Sequence, residues 1–386
     1  MSIKYLLLLS ALFLSFHSNA QNCFTCDNVP EGTIFCDDFE SGEPLKDRYF
    51  EYGNNGGKFI PMEGVGRDGS IGMRVLWDKG QVGAGGFKKS FGRTPVGYIG
   101  RHAVNPKEEY NEIYWRIDIR RQAGWQGGGG AKLSRATTMV NNNWAQGMIA
   151  HIWSAGENSD YLGMDPASGI SRSGKLVSTK YNDFNNLRWL GFKKGDIPLF
   201  SEENSDKWFC VVAHAKLNTP GKKDGIFEFW INDSLQAGTY DLNWHGTWNS
   251  DPKNMYINAI FIENYWNSGS PIQQERYMDN FVISTKPIPC KCATITASEK
   301  PSSTNSVQIY PNPASQTIYI KVDRDIALRG YVFELMDVYG RVVHRTGLLK
   351  QLRSSIDIGT EYSGMYYYRI TSDNKVIQQA SLLMVK

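Results

Sequence analysis

The sequence predicts an all-β protein, and three observations carry that prediction. Short segments alternate apolar and polar residues, Gly-rich turns separate them, and aromatic residues make up 13% of the chain, with 11 Trp and 20 Tyr beside 38 Gly. A period of two marks a strand with one dry face. Aromatic residues suit a pleated surface, and Gly serves its turns. Many short strands of this kind favour a sandwich or jelly roll over an α/β arrangement. The 386 residues leave room for one large and one small domain.

Residues 1–20 read as a signal peptide: Lys4 supplies the positive start, Leu6 to Phe16 the apolar run, and Ser18-Asn19-Ala20 the cleavage site. No later segment is long enough to span a bilayer, so an exported, soluble monomer is expected. A net charge of +3 and the lack of a basic run interleaved with aromatics exclude nucleic acid as an expected partner. Six cysteines (Cys23, Cys26, Cys36, Cys210, Cys290, Cys292) in an oxidising compartment are expected to form disulfides near the ends of the main domain. Fifteen connectivities are open to six cysteines.

Residues 30–290 form the expected main domain. Its first strand is Ile34 to Gly42, and further strands are expected at Gly72–Trp77, Trp208–Leu217, Met255–Tyr265 and Tyr277–Ser284. Gly225 to Asn232 alternates, and Asn232-Asp233 is expected to turn it into a hairpin. Glu112 to Arg120 alternates strictly, with Ile113, Trp115, Ile117 and Ile119 on the dry side and Tyr114 and Arg116 on the wet side. After the Gly127–Gly130 turn come Lys132 and Arg135, then a strand from Trp144 to Trp153 that carries His151. These segments are expected to share one groove for an anionic or hydroxyl-rich ligand.

Residues 291–306, rich in Ser, Thr, Ala and Pro, read as a linker. Residues 307–386 read as a second small β domain. Tyr310-Pro311-Asn312-Pro313, Asp337-Val338-Tyr339-Gly340-Arg341, Ser363-Gly364-Met365-Tyr366 and the basic end at Lys386 closely resemble the C-terminal sorting domain of the Bacteroidetes type IX secretion system. The resemblance implies an Ig-like β-sandwich and the secretion machinery as a partner. It also implies export across the outer membrane, removal of the domain, and attachment of the remainder to the cell surface.

In the main domain, Gly128-Gly129-Gly130-Ala131-Lys132-Leu133 resembles the Gly-Gly-Lys-Leu turn of the jelly-roll polysaccharide lyases that cut alginate and glucuronan. Lys216 to Asn232 is similar to a hairpin of these lyases, and Asp279 to Ser284 to their closing strand. The likeness implies a concanavalin-like jelly roll and cleavage of acidic polysaccharide by β-elimination. That reaction needs the uronate carboxylate neutralised, the adjacent proton removed and the departing oxygen protonated. Lys132 falls on the family's catalytic lysine, and Tyr161 lies near its tyrosine. The family's Ser-x-Arg is replaced by Ala145-Gln146-Gly147, so its arginine is missing. His151 is the residue expected to serve the groove in its place; a half-buried, hydrogen-bonded histidine is the alternative.

Substrate contacts are expected from Tyr114, Arg116, Arg135, Gln146, Tyr181, Arg188 and Trp189, since aromatic faces stack on sugar rings and Arg forks onto carboxylates. Glu263-Asn264-Tyr265-Trp266 resembles a strand end beside a cleft, and Glu263 reads equally as a partner for an arginine. Glu40 and Asp279 resemble a carboxylate pair that holds a structural Ca2+ between the first and last strands of jelly-roll sugar proteins. No catalytic cofactor is expected. The competing functions are a non-catalytic carbohydrate-binding or adhesion protein of the same fold and a glycoside hydrolase.

Overall fold

The structure is a computed structural model that describes Cys26 and residues 29–245, 255–290, 307–322, 324–337, 341–372 and 375–385. The expected signal peptide and linker lie outside the described residues, as do Cys23 and Cys292. The chain divides into two compact units, Met1–Thr294 and Ile295–Lys386.

The first unit begins with β1 (Thr33–Asp37), β2 (Glu51–Gly53), β3 (Phe59–Met62), β4 (Gly72–Trp77) and β5 (Gly83–Ser90). Next come β6 (Glu112–Arg121), β7 (Ala131–Met139), β8 (Gln146–Ser154), β9 (Leu162–Ser168) and the short β10 (Arg188–Trp189) and β11 (Lys193–Lys194). It closes with β12 (Phe209–Lys216), β13 (Gly225–Ile231), β14 (Ser234–Leu242), β15 (Ala259–Trp266) and β16 (Gln274–Ser284). Two antiparallel sheets result. One has the order β14-β13-β12-β6-β16-β4-β3 with β1 on β16; the other runs β10-β9-β8-β7-β15-β5-β2 with β11 on β9. This is a jelly-roll sandwich.

Local sequence explains the best-read elements. Ile113, Trp115, Ile117 and Ile119 are fully buried between the sheets, and each such isoleucine contributes about 1.5–3 kcal/mol relative to an exposed one. Asn232 and Asp233 both adopt positive φ, 51° and 65°, which Asn and Asp tolerate and a two-residue hairpin turn requires. Disulfides join Cys26 to Cys36 and Cys210 to Cys290.

The outer side of β6 departs from the expectation of a wet face. Arg116 and Asp118 are buried, at 2% and 0% exposure. Arg116 donates to both carboxylate oxygens of Asp118 and to the Pro289 carbonyl, while Arg67 and Asn280 complete the Asp118 shell. Paired this way, the charges are covered by the chain that follows β16.

The second unit is a smaller two-sheet β-sandwich. Its strands are β17 (Val307–Tyr310), β18 (Thr317–Val322), β19 (Val332–Met336), β20 (Val342–Arg345), β21 (Arg353–Asp357), β22 (Gly364–Ser372) and β23 (Lys375–Met384). They form the sheets β17-β18-β21 and β20-β19-β22-β23. Ile318, Ile320, Phe333, Leu335, Ile370 and Leu382 pack its core.

Candidate functional site

The second sheet of the jelly roll turns one face to the core and the other outward. Along β8, Met148, Ala150 and Ile152 belong to the core, so His151 and Trp153 point the other way. Residues directly opposite on paired strands share a face. Register therefore draws two rows across the outward face. Lys88, Phe261, Arg135, His151 and Asp165 form one, across β5, β15, β7, β8 and β9. Tyr265, Lys132, Trp153 and Gly163 form the next. A Cβ on Gly163 would meet the Phe192 ring at 2.5 Å, so the glycine is what lets Phe192 lie over this strand.

Glu263 is the electrostatic hub. Its carboxylate lies 3.1 Å from Arg135 Nε and 3.8 Å from Lys132 Nζ, accepts from Arg135 Nη2 at 3.2 Å, and accepts the Tyr181 hydroxyl. Burial alone would raise the Glu263 pKa, but the charges of Arg135 and Lys132 and the Tyr181 bond outweigh it and hold the carboxyl below its usual range. Burial lowers the Lys132 amine, and Arg135 and Lys88 push the same way against the pull of Glu263. Lys88 pairs with Glu51 and lies 4.9 Å from the centres of the Trp144 and Tyr181 rings. Burial also lifts Asp165, to about 6.

His151 shares the face with Lys132 and is enclosed there, at 1% exposure. Its ring stacks on Trp153 at 4.4 Å, and Nε2 lies 3.3 Å from Arg135 Nη1. Burial, then Arg135 and Lys132, hold its pKa well below the usual value. The imidazole is therefore neutral at pH 7. Since Arg135 only donates, Nε2 accepts and the proton is assigned to Nδ1. Trp153, Trp189 and Phe184 surround it, with Trp189 stacked 5.9 Å from Trp153 and 39% exposed. Tyr265, 43% exposed, lies with its ring centre 5.0 Å from Lys132 Nζ. Cations beside open aromatic faces suit a carboxylated sugar chain.

The structure gathers Lys132, Arg135, His151, Tyr181 and Trp189 here, and it sends other expected residues elsewhere. Tyr114 and Arg116 stand on β6, in the opposite sheet; Tyr114 stacks on His214 at 4.1 Å. Strand alternation gives the period of β6 but not the sheet it joins, which is why the expected shared groove with Lys132 does not form. Arg188 donates to the Ile170 and Asn243 carbonyls, so its fork holds loops. Gln146 is buried and ties the Asn182 amide to Thr137. Tyr161 precedes β9, two strands from Lys132, with Lys194 Nζ 4.1 Å from its ring centre. Lys88 was not among the expected residues, and Tyr265 was expected only within a strand end beside a cleft, without a role of its own. The Gly83-Ala84-Gly85-Gly86 stretch hides the strand of the first, and Tyr265 emerges only from its register opposite Lys132.

Among the described residues, no three His, Cys, Asp or Glu side chains gather as metal ligands. The Glu40–Asp279 pair does carry features that suit Ca2+. Burial raises Asp279 to about 8, and the charges of Asp118 and Glu40 add to the rise. Asn280 Oδ1 beside it is buried without a hydrogen-bond partner. Glu40 accepts the Ile71 amide and Asp279 accepts the Arg67 amide, which leaves lone pairs on both carboxylates. Oxygen donors of this kind fit calcium.

Residues 308–384 match the family model described as the secretion system C-terminal sorting domain. The chain is a type IX secretion substrate, delivered to the cell surface or outside. No curated protein matches the chain. Similar solved structures include a marine PL-14 alginate lyase from Aplysia kurodai, with 12% identity over 66% of this chain and 99% of that one and a TM-score of 0.45. An endo-beta-1,4-glucuronan lyase from Trichoderma reesei matches at 12% identity over 66% and 96% of the two chains, with a TM-score of 0.44. A mutant of alginate lyase Aly36B in complex with alginate tetrasaccharide matches at 16% identity over 68% and 95%, with a TM-score of 0.41.

Proposed function

We propose that this protein is a secreted, polysaccharide-active protein and that the outward face of its second sheet cleaves uronic-acid chains by β-elimination. The observation that carries the reading is the cation cluster Lys88, Lys132 and Arg135, flanked by the open rings of Trp189 and Tyr265. The positive charges of Lys88 and Arg135 neutralise the uronate carboxylate, which acidifies the adjacent C–H and leaves Lys132 free to act as a base. The Lys132 amine, already lowered by burial, takes that proton. The electron pair left behind forms the C=C bond as the C–O bond to the leaving sugar breaks. A tyrosine hydroxyl returns a proton to the departing oxygen; Tyr265, beside Lys132, is better placed for this than Tyr161. His151, beside Arg135 on the same face, accepts from it through Nε2 and holds the guanidinium in place.

One observation favours a second reading, a non-catalytic carbohydrate-binding protein: Glu263 already engages both Lys132 and Arg135. Ultraviolet absorbance of the new C=C bond on mixing with alginate or glucuronan separates the two. A lyase raises it, and Lys132→Ala lowers the rate roughly 10²–10⁴-fold, the usual worth of a general base. Glycan retention on an affinity gel without any absorbance change establishes the binding module and refutes the lyase.

For the first and last strands, the proposed occupant is a structural Ca2+ held by Glu40 and Asp279. Thermal unfolding in Ca2+ and in chelator tests it. The melting temperature should fall in chelator for the wild-type chain and not for Asp279→Asn; equal melting in both buffers rules the site out.

A further inference from the structure

A second cluster of cations lies inside the sandwich, away from the outward face. Arg121 and Arg276 are register partners on β6 and β16, both 1% exposed. Arg276 also stands opposite Val75, a core residue of β4, so its side chain turns between the sheets. Its guanidinium carbon lies 5.1 Å from the Trp77 ring centre, and Nη2 donates to Asn264 Oδ1. The Arg121 guanidinium lies 5.9 Å from the Trp125 ring and 5.5 Å from that of Phe200, with one bond to the Ser201 carbonyl. Trp77, Trp125 and Trp266 pack on one another at 5.6–6.0 Å and wall this end of the sandwich.

The donors here outnumber the acceptors. Arg121 Nη2, Arg276 Nε, Trp77 Nε1 and Asn264 Nδ2 are all buried with no hydrogen-bond partner. Among the described residues no carboxylate comes within ion-pair distance of either arginine; Asp160 acts on Arg121 only from farther away. Burial lowers Arg276 to about 9, with the charge of Arg121 contributing, and burial lowers Arg121 to about 10. Both stay cationic at pH 7. Two buried like charges with unmade donor bonds demand compensation.

We infer that a single halide ion, chloride under natural conditions, binds between Arg121 and Arg276 and accepts from Trp77 Nε1 and Asn264 Nδ2. A water molecule satisfies donors but leaves both charges uncompensated. The indole walls disfavour a bulky, multiply charged oxyanion, which needs more donors than this cluster offers. The site lies beside the turn that leads into Lys132: Trp125 Nε1 donates to the Gly128 carbonyl, and a Cβ on Gly130 would meet Trp266 at 2.5 Å. Halide occupancy therefore steadies the start of β7.

Thermal unfolding of the full chain at fixed ionic strength tests the inference, with sodium chloride or bromide replacing sodium gluconate. The melting temperature should rise and saturate with either halide, and Arg276→Gln should abolish the rise. Arg121→Gln serves in its place if that variant does not fold. A bromide-soaked crystal should show an anomalous peak between the two guanidiniums. Identical melting in halide and gluconate, or no peak there, overturns the site.

Discussion

Glu263 ties together groups from three separate parts of the chain, Lys132 and Arg135 on β7, Tyr181 on a loop, and its own β15. Its carboxyl is held below the usual range, so the stabilisation is complete above the unfolded value of about 4.3 and drains away as pH falls through the folded value. Glu263→Gln should cost about 3–5 kcal/mol at pH 7, because it strands two buried cations. Urea unfolding across a pH series checks this. The gap between wild type and variant should close as the medium becomes acidic, and a gap that is constant with pH would disprove the role. At this scale the sequence was readable where a motif marked the residue, as for Lys132 in its Gly-Gly-x-Lys-Leu turn. It offered Glu263 as a partner for an arginine but not which one, because 128 positions separate Glu263 from Arg135 and only the β7–β15 register brings them together.

Among the elements, the strands with strong alternation or clear turn chemistry emerged from sequence alone: β4, β6, and the β13–β14 hairpin with its Asn232-Asp233 turn. β5 did not, since Gly83, Gly85 and Gly86 interrupt its pattern. Sheet membership was also invisible, because periodicity describes one strand and pairing depends on partners far along the chain. The Cys210–Cys290 bond is of this long-range kind, closing a loop across 80 positions. Cys290→Ser should destabilise the first unit by about 2–5 kcal/mol, the range for removing a native disulfide. Denaturant unfolding with and without reductant is the check. A reductant-sensitive wild type should approach the variant, and a midpoint indifferent to both changes would contradict the claim.

The whole molecule pairs an outward-facing sheet of cations and aromatics with a sorting domain at residues 308–384. Deleting that segment should retain the protein inside the cell. Immunoblots of cell fractions and medium read the outcome, and surface delivery of the shortened chain would refute the assignment. The sorting domain was the most legible part of the chain because its signals are contiguous, whereas the candidate site is assembled from five strands and a loop.

The Cys210–Cys290 bond also bears on how the two units can be handled mechanically. Cys290 is the last described residue before the second unit, and its sulfur is fastened to β12, deep in the first sheet. Any pull exerted from the C-terminal side would thus be borne by a covalent anchor in mid-sheet. It does not unzip β16 residue by residue, and trimming of the tail cannot fray the sandwich past that point.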